Sequence, residues 1–262
     1  MCSIRKAITL LAMASLLLSA CVQKDENRKK EKQPEPSNSE KLLKGDRTIY
    51  GLACEGCTDS VVVVLKEDGS DPVTYNTIDA FTNRKMLGRL KVGDWVAIVP
   101  NESDSTVADI VINLDELKGT WCYLVLPTLP ERHDVTQEQR DRMMREMPDS
   151  VRKRLFAPRE YGFTLKRQWI AQSVGYVRQK TSANRDRSPM VYPRLLFFTE
   201  WHILNGQLVM TSGKISQEKG SEDIRIVNNR NDTCNILLLR KDTPVLESEG
   251  VTRGYYRKVE KS

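Results

Sequence analysis

Short apolar runs bounded by Gly, Asp, Asn and Pro recur from residue 46 to the C-terminus, a pattern that predicts many strands and few long helices. Thr48-Ile49-Tyr50-Gly51-Leu52 is the first run, and residues 60–66, with four successive valines, form the second. Asp68-Gly69-Ser70-Asp71-Pro72 reads as the turn into a third strand over residues 73–78. Asp79 is placed to cap a short helix through Phe81, Arg84, Met86 and Leu87, which Gly88 would end. Trp95-Val96-Ala97-Ile98-Val99 and residues 107–112 complete five strands.

Three strands, a short helix and two more strands is the order of an OB-fold, so residues 46–113 are read as a small OB-like β module. Such folds often bind oligonucleotides or sugars, and Arg84, Lys85, Arg89 and Lys91 cluster near the helix. Tyr50, Tyr75 and Trp95 fall on different strands, which leaves no obvious stacking platform for bases. The basic cluster is therefore read as solvated surface, and no nucleic-acid partner is expected. Cys54-Glu55-Gly56-Cys57 lies in a turn, without the helix N-terminus that lowers the pKa of a redox thiol. A structural zinc site would need a second ligand pair at suitable spacing. A local disulfide between Cys54 and Cys57 is the expectation outside the cytoplasm.

Beyond residue 113 the pattern gives eight candidate strands, at 118–126, 161–165, 170–178, 195–204, 207–211, 223–227, 233–240 and 254–259. Asn205-Gly206 is a type I′ hairpin signal, and Asn228-Asn229-Arg230-Asn231-Asp232 reads as a turn between two strands. Eight strands joined by local turns suit an up-and-down barrel over residues 114–262. Leu165, Val174, Leu196 and Phe198 are its candidate inward residues, subject to register.

Gly119-Thr120-Trp121 resembles the G-x-W signature of lipocalins. Glu200-Trp201-His202-Ile203-Leu204-Asn205-Gly206-Gln207-Leu208 resembles the W-x-I…G-x-L hairpin of lipocalin-like bacterial lipoproteins. Asn235 to Arg240, followed by Tyr255-Tyr256-Arg257, is similar to their closing strands. The resemblance covers about residues 114–258. It implies that Trp121 packs across the closed end of the barrel beside Gly119, and that Arg257, or else Arg253, covers it. These are structural roles, distinct from ligand contacts.

Residues 131–157 are too long for a hairpin loop and have helical spacing. Thr136-Gln137-Glu138-Gln139 can form a capping box, and Pro148 divides the run into two helices. Met143, Met144 and Met147 share a face with Val151 and Leu155. That face is either an adaptable lid over the barrel mouth or a surface packed on the outer wall. Cys122 and Cys234 are either a second disulfide, joining the ends of the barrel, or two buried free thiols. The two histidines, His133 and His202, have no third ligand in sequence, so no metal and no cofactor is expected. No catalytic motif stands out, and the chain reads as a non-enzyme.

The N-terminus supplies the address. Arg5 and Lys6 precede an apolar stretch, residues 7–18, too short to span a bilayer. Leu18-Ser19-Ala20-Cys21 resembles the lipobox of bacterial lipoproteins, implying a signal peptide over 1–20 and lipidation of Cys21 with chains such as palmitate. Val22 replaces the aspartate of inner-membrane retention, and Gln23-Lys24-Asp25-Glu26 resembles a surface-export signal. Residues 21–45 are polar and charged, a tether with almost nothing to bury. Net charge is +6 and falls by two without Arg5 and Lys6, too mild to imply an acidic polymer as partner. Together these features describe an outer-membrane, surface-directed lipoprotein whose barrel holds a small, largely apolar ligand. The alternative is an interaction or scaffold protein with a side-chain-filled barrel and an outer-membrane protein partner.

Overall fold

The computed structural model describes residues 44–129, 135–175, 190–217 and 224–259, and among these β-strand dominates, with four short helices. Cys21, the signal segment 1–20, tether residues 21–43, residues 131–134 with His133, residues 176–178 and Asp223 lie outside the described residues.

The first module is built from β1 (Ile49–Ala53), β2 (Val61–Lys66), β3 (Val73–Asn76), β4 (Met86–Leu87), β5 (Trp95–Pro100) and β6 (Ala108–Asn113). They form one sheet in the order β3-β2-β1-β5-β6-β4, antiparallel except where β4 joins β6 in parallel. An isolated parallel bridge links Asn76 to Val107. Helix α1 (Ile78–Thr82) is shorter than expected, and Asp79 sits in its first turn with no cap bond rather than capping it. Only Ala80 of this helix is buried, so little holds a longer one in place. Arg84 then turns the chain at φ 57°, and Met86 and Leu87 become strand.

Strand β5 carries the structural logic of the molecule. Its residues from Trp95 to Val99 are all buried, as a continuous apolar run requires of a strand covered on both faces. Val96 and Ile98 point into a core private to the first module, with Val62, Val64 and Tyr75. Trp95 and Ala97 point the other way, into a larger core shared with the second module. There they meet Trp121, Trp201, Ile203, Leu208 and Ile236. Both modules accordingly belong to one compact unit. Polar contacts lock the junction. Tyr50 Oη donates to the Ile203 carbonyl at 2.9 Å, the Arg47 amide donates to Asn205 Oδ1 at 2.9 Å, and Asn205 Nδ2 donates to the Gly45 carbonyl at 3.0 Å.

A single turn, α2 (Leu114–Leu117), joins the modules, capped by Asn113, whose side chain accepts from the Glu116 amide. The second module follows with β7 (Gly119–Val125), α3 (Gln137–Glu146), α4 (Asp149–Leu155), β8 (Arg159–Leu165), β9 (Ala171–Val174), β10 (Phe197–Leu204), β11 (Gln207–Gln217), β12 (Ile224–Arg240), β13 (Thr243–Ser248), β14 (Val251–Gly254) and β15 (Tyr256–Arg257). These nine strands differ from the expected eight-stranded closed barrel. They lie in two sheets, ordered β10-β11-β12-β13-β14 and β15-β7-β8-β9. The ladder breaks at Tyr255, between β14 and β15, and again beside the short β9. Scattered bonds still cross both seams. Ser173 Oγ accepts from the Phe198 amide at 2.7 Å, and the amides of Tyr255 and Arg257 donate to Pro244 and Asp242 carbonyls at 3.0 Å.

Two further expectations are corrected here. The Asn-rich stretch at 228–232 is not a turn but the middle of the 17-residue β12. Pairing with the long β11 overrides its turn propensity, and Asn231 and Asp232 accept side-chain bonds from Thr211 and Ser212 on that strand. Strand β13 is an addition to the expected strands, with Pro244 at its second position, where a missing donor is tolerated. The Asn205-Gly206 hairpin does form, with φ of 48° and 87° as a type I′ turn needs. Its tip packs so closely on the first module that a Cβ on Gly206 would overlap Ile110.

Candidate functional site

The inner face of the second module changes character along its length. On β11 the inward residues run Leu208, Met210, Ser212. On β12, their partners across the ladder run Cys234, Asp232, Arg230. The apolar ends of these rows, with Trp121, Trp201 and Leu246, make the shared core. Toward the polar ends, side chains no longer fill the space between the sheets. A pocket of about 380 Å³ opens there.

Five aromatic rings wall this pocket: Tyr123, Tyr161, Phe163, Phe198 and Tyr255. They form a continuous set of tilted and edge-to-face contacts, with centroid separations of 5.4 Å for Tyr123–Tyr255, 5.2 Å for Phe163–Tyr255, 6.1 Å for Phe163–Phe198 and 6.5 Å for Tyr123–Tyr161. Strand register explains the set, since Trp121 faces Phe163 and Tyr123 faces Tyr161 across β7 and β8. Tyr161 is anchored by its hydroxyl, which donates to the Pro193 carbonyl at 3.0 Å. Burial pushes the Tyr255 phenol up to about 12, against the opposing pull of Arg253, so its hydroxyl stays protonated at neutral pH.

The rim is charged. Arg230 engages both nearby carboxylates, Asp232 at 2.7 Å and Glu249 at 2.6 Å. Arg253 lies opposite Leu246 in the ladder and therefore on the inner face, with its guanidinium 4.2 Å from the Tyr123 ring centroid. Arg194 also lines the opening. Of the residues expected to point inward, Leu196 and Phe198 line this pocket, Leu165 is buried in the shared core, and half-buried Val174 lines neither. The alternation of Tyr161 and Phe163 and the i+2 step from Trp121 to Tyr123 were signals for the remaining rings. Arg253 carried none, because an arginine at an inward position contradicts the apolar pattern.

Gly119, Trp121 and Arg257 come together at the end away from the pocket. The Arg257 guanidinium stacks 4.1 Å from the Trp121 ring centroid. It also donates to the carbonyls of Lys118 at 2.8 Å, Glu116 at 2.6 Å and Lys241 at 2.5 Å. Gly119 has φ 131°, and a Cβ there would overlap Arg257 Nη1. Arg253, the other candidate for this cover, is the pocket arginine instead.

The expected Cys54–Cys57 disulfide is absent, and of the two alternatives for Cys122 and Cys234 the structure has two buried free thiols. Cys122 sits between Trp121 and Tyr123, which both face inward, so its own side chain points to the outer face near Glu160 and Lys258. Cys234 faces the pocket. The two sulfurs thus lie on opposite sides of the wall, which rules out a bond between them. Burial pushes both thiols up from the usual range. In the β1–β2 turn, each sulfur is engaged by backbone instead, Cys57 Sγ accepting from the Val63 amide at 3.4 Å and Cys54 Sγ lying 3.7 Å from the Leu52 carbonyl.

The Thr136 capping box forms with both of its bonds, yet α3 and α4 bury no residue. Met143 is 57% exposed, Met144 and Met147 are half-buried, and none of the three lines the pocket. Of the aromatic residues in the first module, Tyr75 is in its private core, while Tyr50 and Trp95 pack on the shared one. Among the described residues no cluster of His, Cys, Asp and Glu could hold a metal.

No family model matches the chain, and no curated relative matches it. Among solved structures, a lipocalin-like protein from Bacteroides thetaiotaomicron is similar over 54% of this chain and 95% of its own, at 16% identity and a TM-score of 0.27. A likeness at that level carries no argument, and the function must be reasoned from the pocket.

Proposed function

We propose that this chain is a lipid-anchored outer-membrane lipoprotein, facing the cell surface, whose second module binds a small, largely apolar ligand. One observation carries the binding reading: the aromatic-walled pocket of about 380 Å³. Small-molecule sites take this form, an apolar cleft of some 300–1,000 Å³ with a few convergent polar groups. The address rests on the lipobox-like Leu18-Ser19-Ala20-Cys21 and the acidic Asp25-Glu26 that follow it. The finer architecture we read as an OB-like module followed by a lipocalin-like barrel. The strand order of the first module with its Asn76–Val107 bridge supports the former, and the bonds crossing both seams support the latter.

A second reading is a non-enzymatic interaction protein with a filled interior and an outer-membrane partner. It draws on the dense packing of Trp121, Trp201, Ile203 and Leu208 at the end away from the pocket. Titration with N-phenyl-1-naphthylamine, a neutral apolar fluorophore, separates the two. Binding in the pocket gives saturable, blue-shifted fluorescence that Leu196→Trp weakens by narrowing the opening. Leu196 is 52% exposed, so this substitution spares the fold. Fluorescence that fails to saturate, or is indifferent to that change, selects the interaction reading.

A further inference from the structure

The charge arrangement at the rim points beyond an apolar ligand to its chemical class. Resting on the binding reading above, we propose that the pocket takes an amphipathic monoanion, a compact apolar body ending in a carboxylate or similar head group, with Arg253 and Arg194 as the head-group site. Three arginines line the opening, but only Arg230 has carboxylate partners, and it holds both Asp232 and Glu249. Arg253 and Arg194 have no carboxylate partner among the described residues. Among the described residues the lining therefore carries three arginines against two carboxylates, Asp232 and Glu249, beside an aromatic wall.

Arg253 is the more telling of the two. It occupies an inward ladder position opposite buried Leu246, where an apolar residue would extend the core. Its guanidinium carbon lies over the Tyr123 ring, 4.2 Å from the centroid, and its side chain also reaches the Tyr255 hydroxyl. A stacked guanidinium keeps its N–H donors at the ring edge, free to meet a planar anion with two parallel bonds. The aromatic hold orients the cation without neutralising it. A ligand with its apolar part among Phe163, Phe198 and Met210 would bring a terminal anion to this position.

The test compares three probes of one tail length, decanoate, 1-decanol and decyltrimethylammonium, each competing with the naphthylamine fluorophore for the mature chain. The proposal expects decanoate to bind roughly 10-fold or more tightly than decanol, as a charge-assisted bidentate contact allows, with the cation weakest. It further expects Arg194→Gln with Arg253→Gln to bring the decanoate-to-decanol ratio to about one. Equal binding of decanoate and decanol to the unmodified protein overturns the head-group assignment and leaves the apolar pocket standing. A preference that survives the double substitution overturns the choice of residues. Failure of all three probes and of the fluorophore overturns the binding reading itself. The probe series on the unmodified protein decides the question even where the variants fold poorly.

Discussion

Replacing Arg257 by Met removes a charged fork while keeping most of its apolar stem, and the structure gives the cost. Three carbonyls, those of Lys118, Glu116 and Lys241, lose a charged donor at 2.5–2.8 Å, and the face of Trp121 loses its cation at 4.1 Å. A hydrogen bond to a charged group contributes about 1.5–3 kcal/mol, and the stacked cation about 0.5–2 kcal/mol. Arg257 is only half-buried, so water replaces part of each bond, and the contributions are not additive. A net loss of about 3 kcal/mol is expected, which lowers Tm by roughly 6–12 °C in a chain of this size. Thermal unfolding followed by near-UV circular dichroism reads it directly, since Trp121 is part of the site. Arg257→Lys retains the charge without the planar fork and should lose about half as much. Gly119→Ala adds a second handle, because its new Cβ would overlap the same guanidinium. In a double-mutant cycle, the Gly119→Ala cost should shrink in the Arg257→Met background but not vanish, since φ 131° remains unfavourable to alanine. A loss below about 1 kcal/mol for Arg257→Met, or strictly additive effects, would refute this account of the Trp121–Arg257 contact.

Other outcomes follow from the same geometry. Burial holds His202 below the usual imidazole range, against the pull of Glu200 and Asp46, so its contribution to stability is complete above the unfolded pKa and lost as pH falls through the folded one. Urea unfolding should therefore show a larger drop on acidification from pH 7 to pH 5 for the native protein than for His202→Gln, and identical drops would contradict it. Cys122 and Cys234 should both be alkylated under denaturing conditions without reductant, even after export to an oxidising compartment. Mass spectrometry that finds them linked would overturn the placement of one on each side of the wall. Trp169 packs within 5.0 Å of Tyr50, Trp95 and Trp201, across both modules. Trp169→Ala should cost about 3 kcal/mol in a single denaturation transition, whereas two separate transitions in the native chain would mean the modules fold independently. Cys21→Ser should abolish palmitate labelling and release the protein from the membrane fraction, and continued labelling would sink the proposed anchor.

Local chemistry was the legible part of this chain. Asn205-Gly206 announces a turn that only φ-positive residues make, and Thr136 with Gln139 announces a helix start, because both signals act over a few residues and need no tertiary partner. Pairing partners were harder to see. The stretch at 228–232 is rich in Asn and Asp, yet a long neighbour strand supplies the bonds that would otherwise favour a turn. At β13, which the strand pattern passed over, Pro244 occupies the second position, where the lost donor costs little. The aromatic pocket was half visible, in the alternation of Tyr161 and Phe163. Its charged rim was not, since a lone arginine on an apolar face is recognisable only once the strand opposite is known.

The deepest signal lay in Trp95-Val96-Ala97-Ile98-Val99, whose lack of alternation required burial on both faces. One face is satisfied within the first module, and the other only by a second body with an exposed apolar end. The second module has such an end, where Trp121, Trp201 and Leu208 meet Trp95 and Ala97. Docking there covers the apolar end, while the pocket lies at the other end, lined among others by Arg194, Arg230 and Arg253. The face of β5 that a free-standing module would offer to a ligand is consumed by this contact. The first module thus covers the apolar end of the second, and the charged side chains of the aromatic pocket lie at the other end.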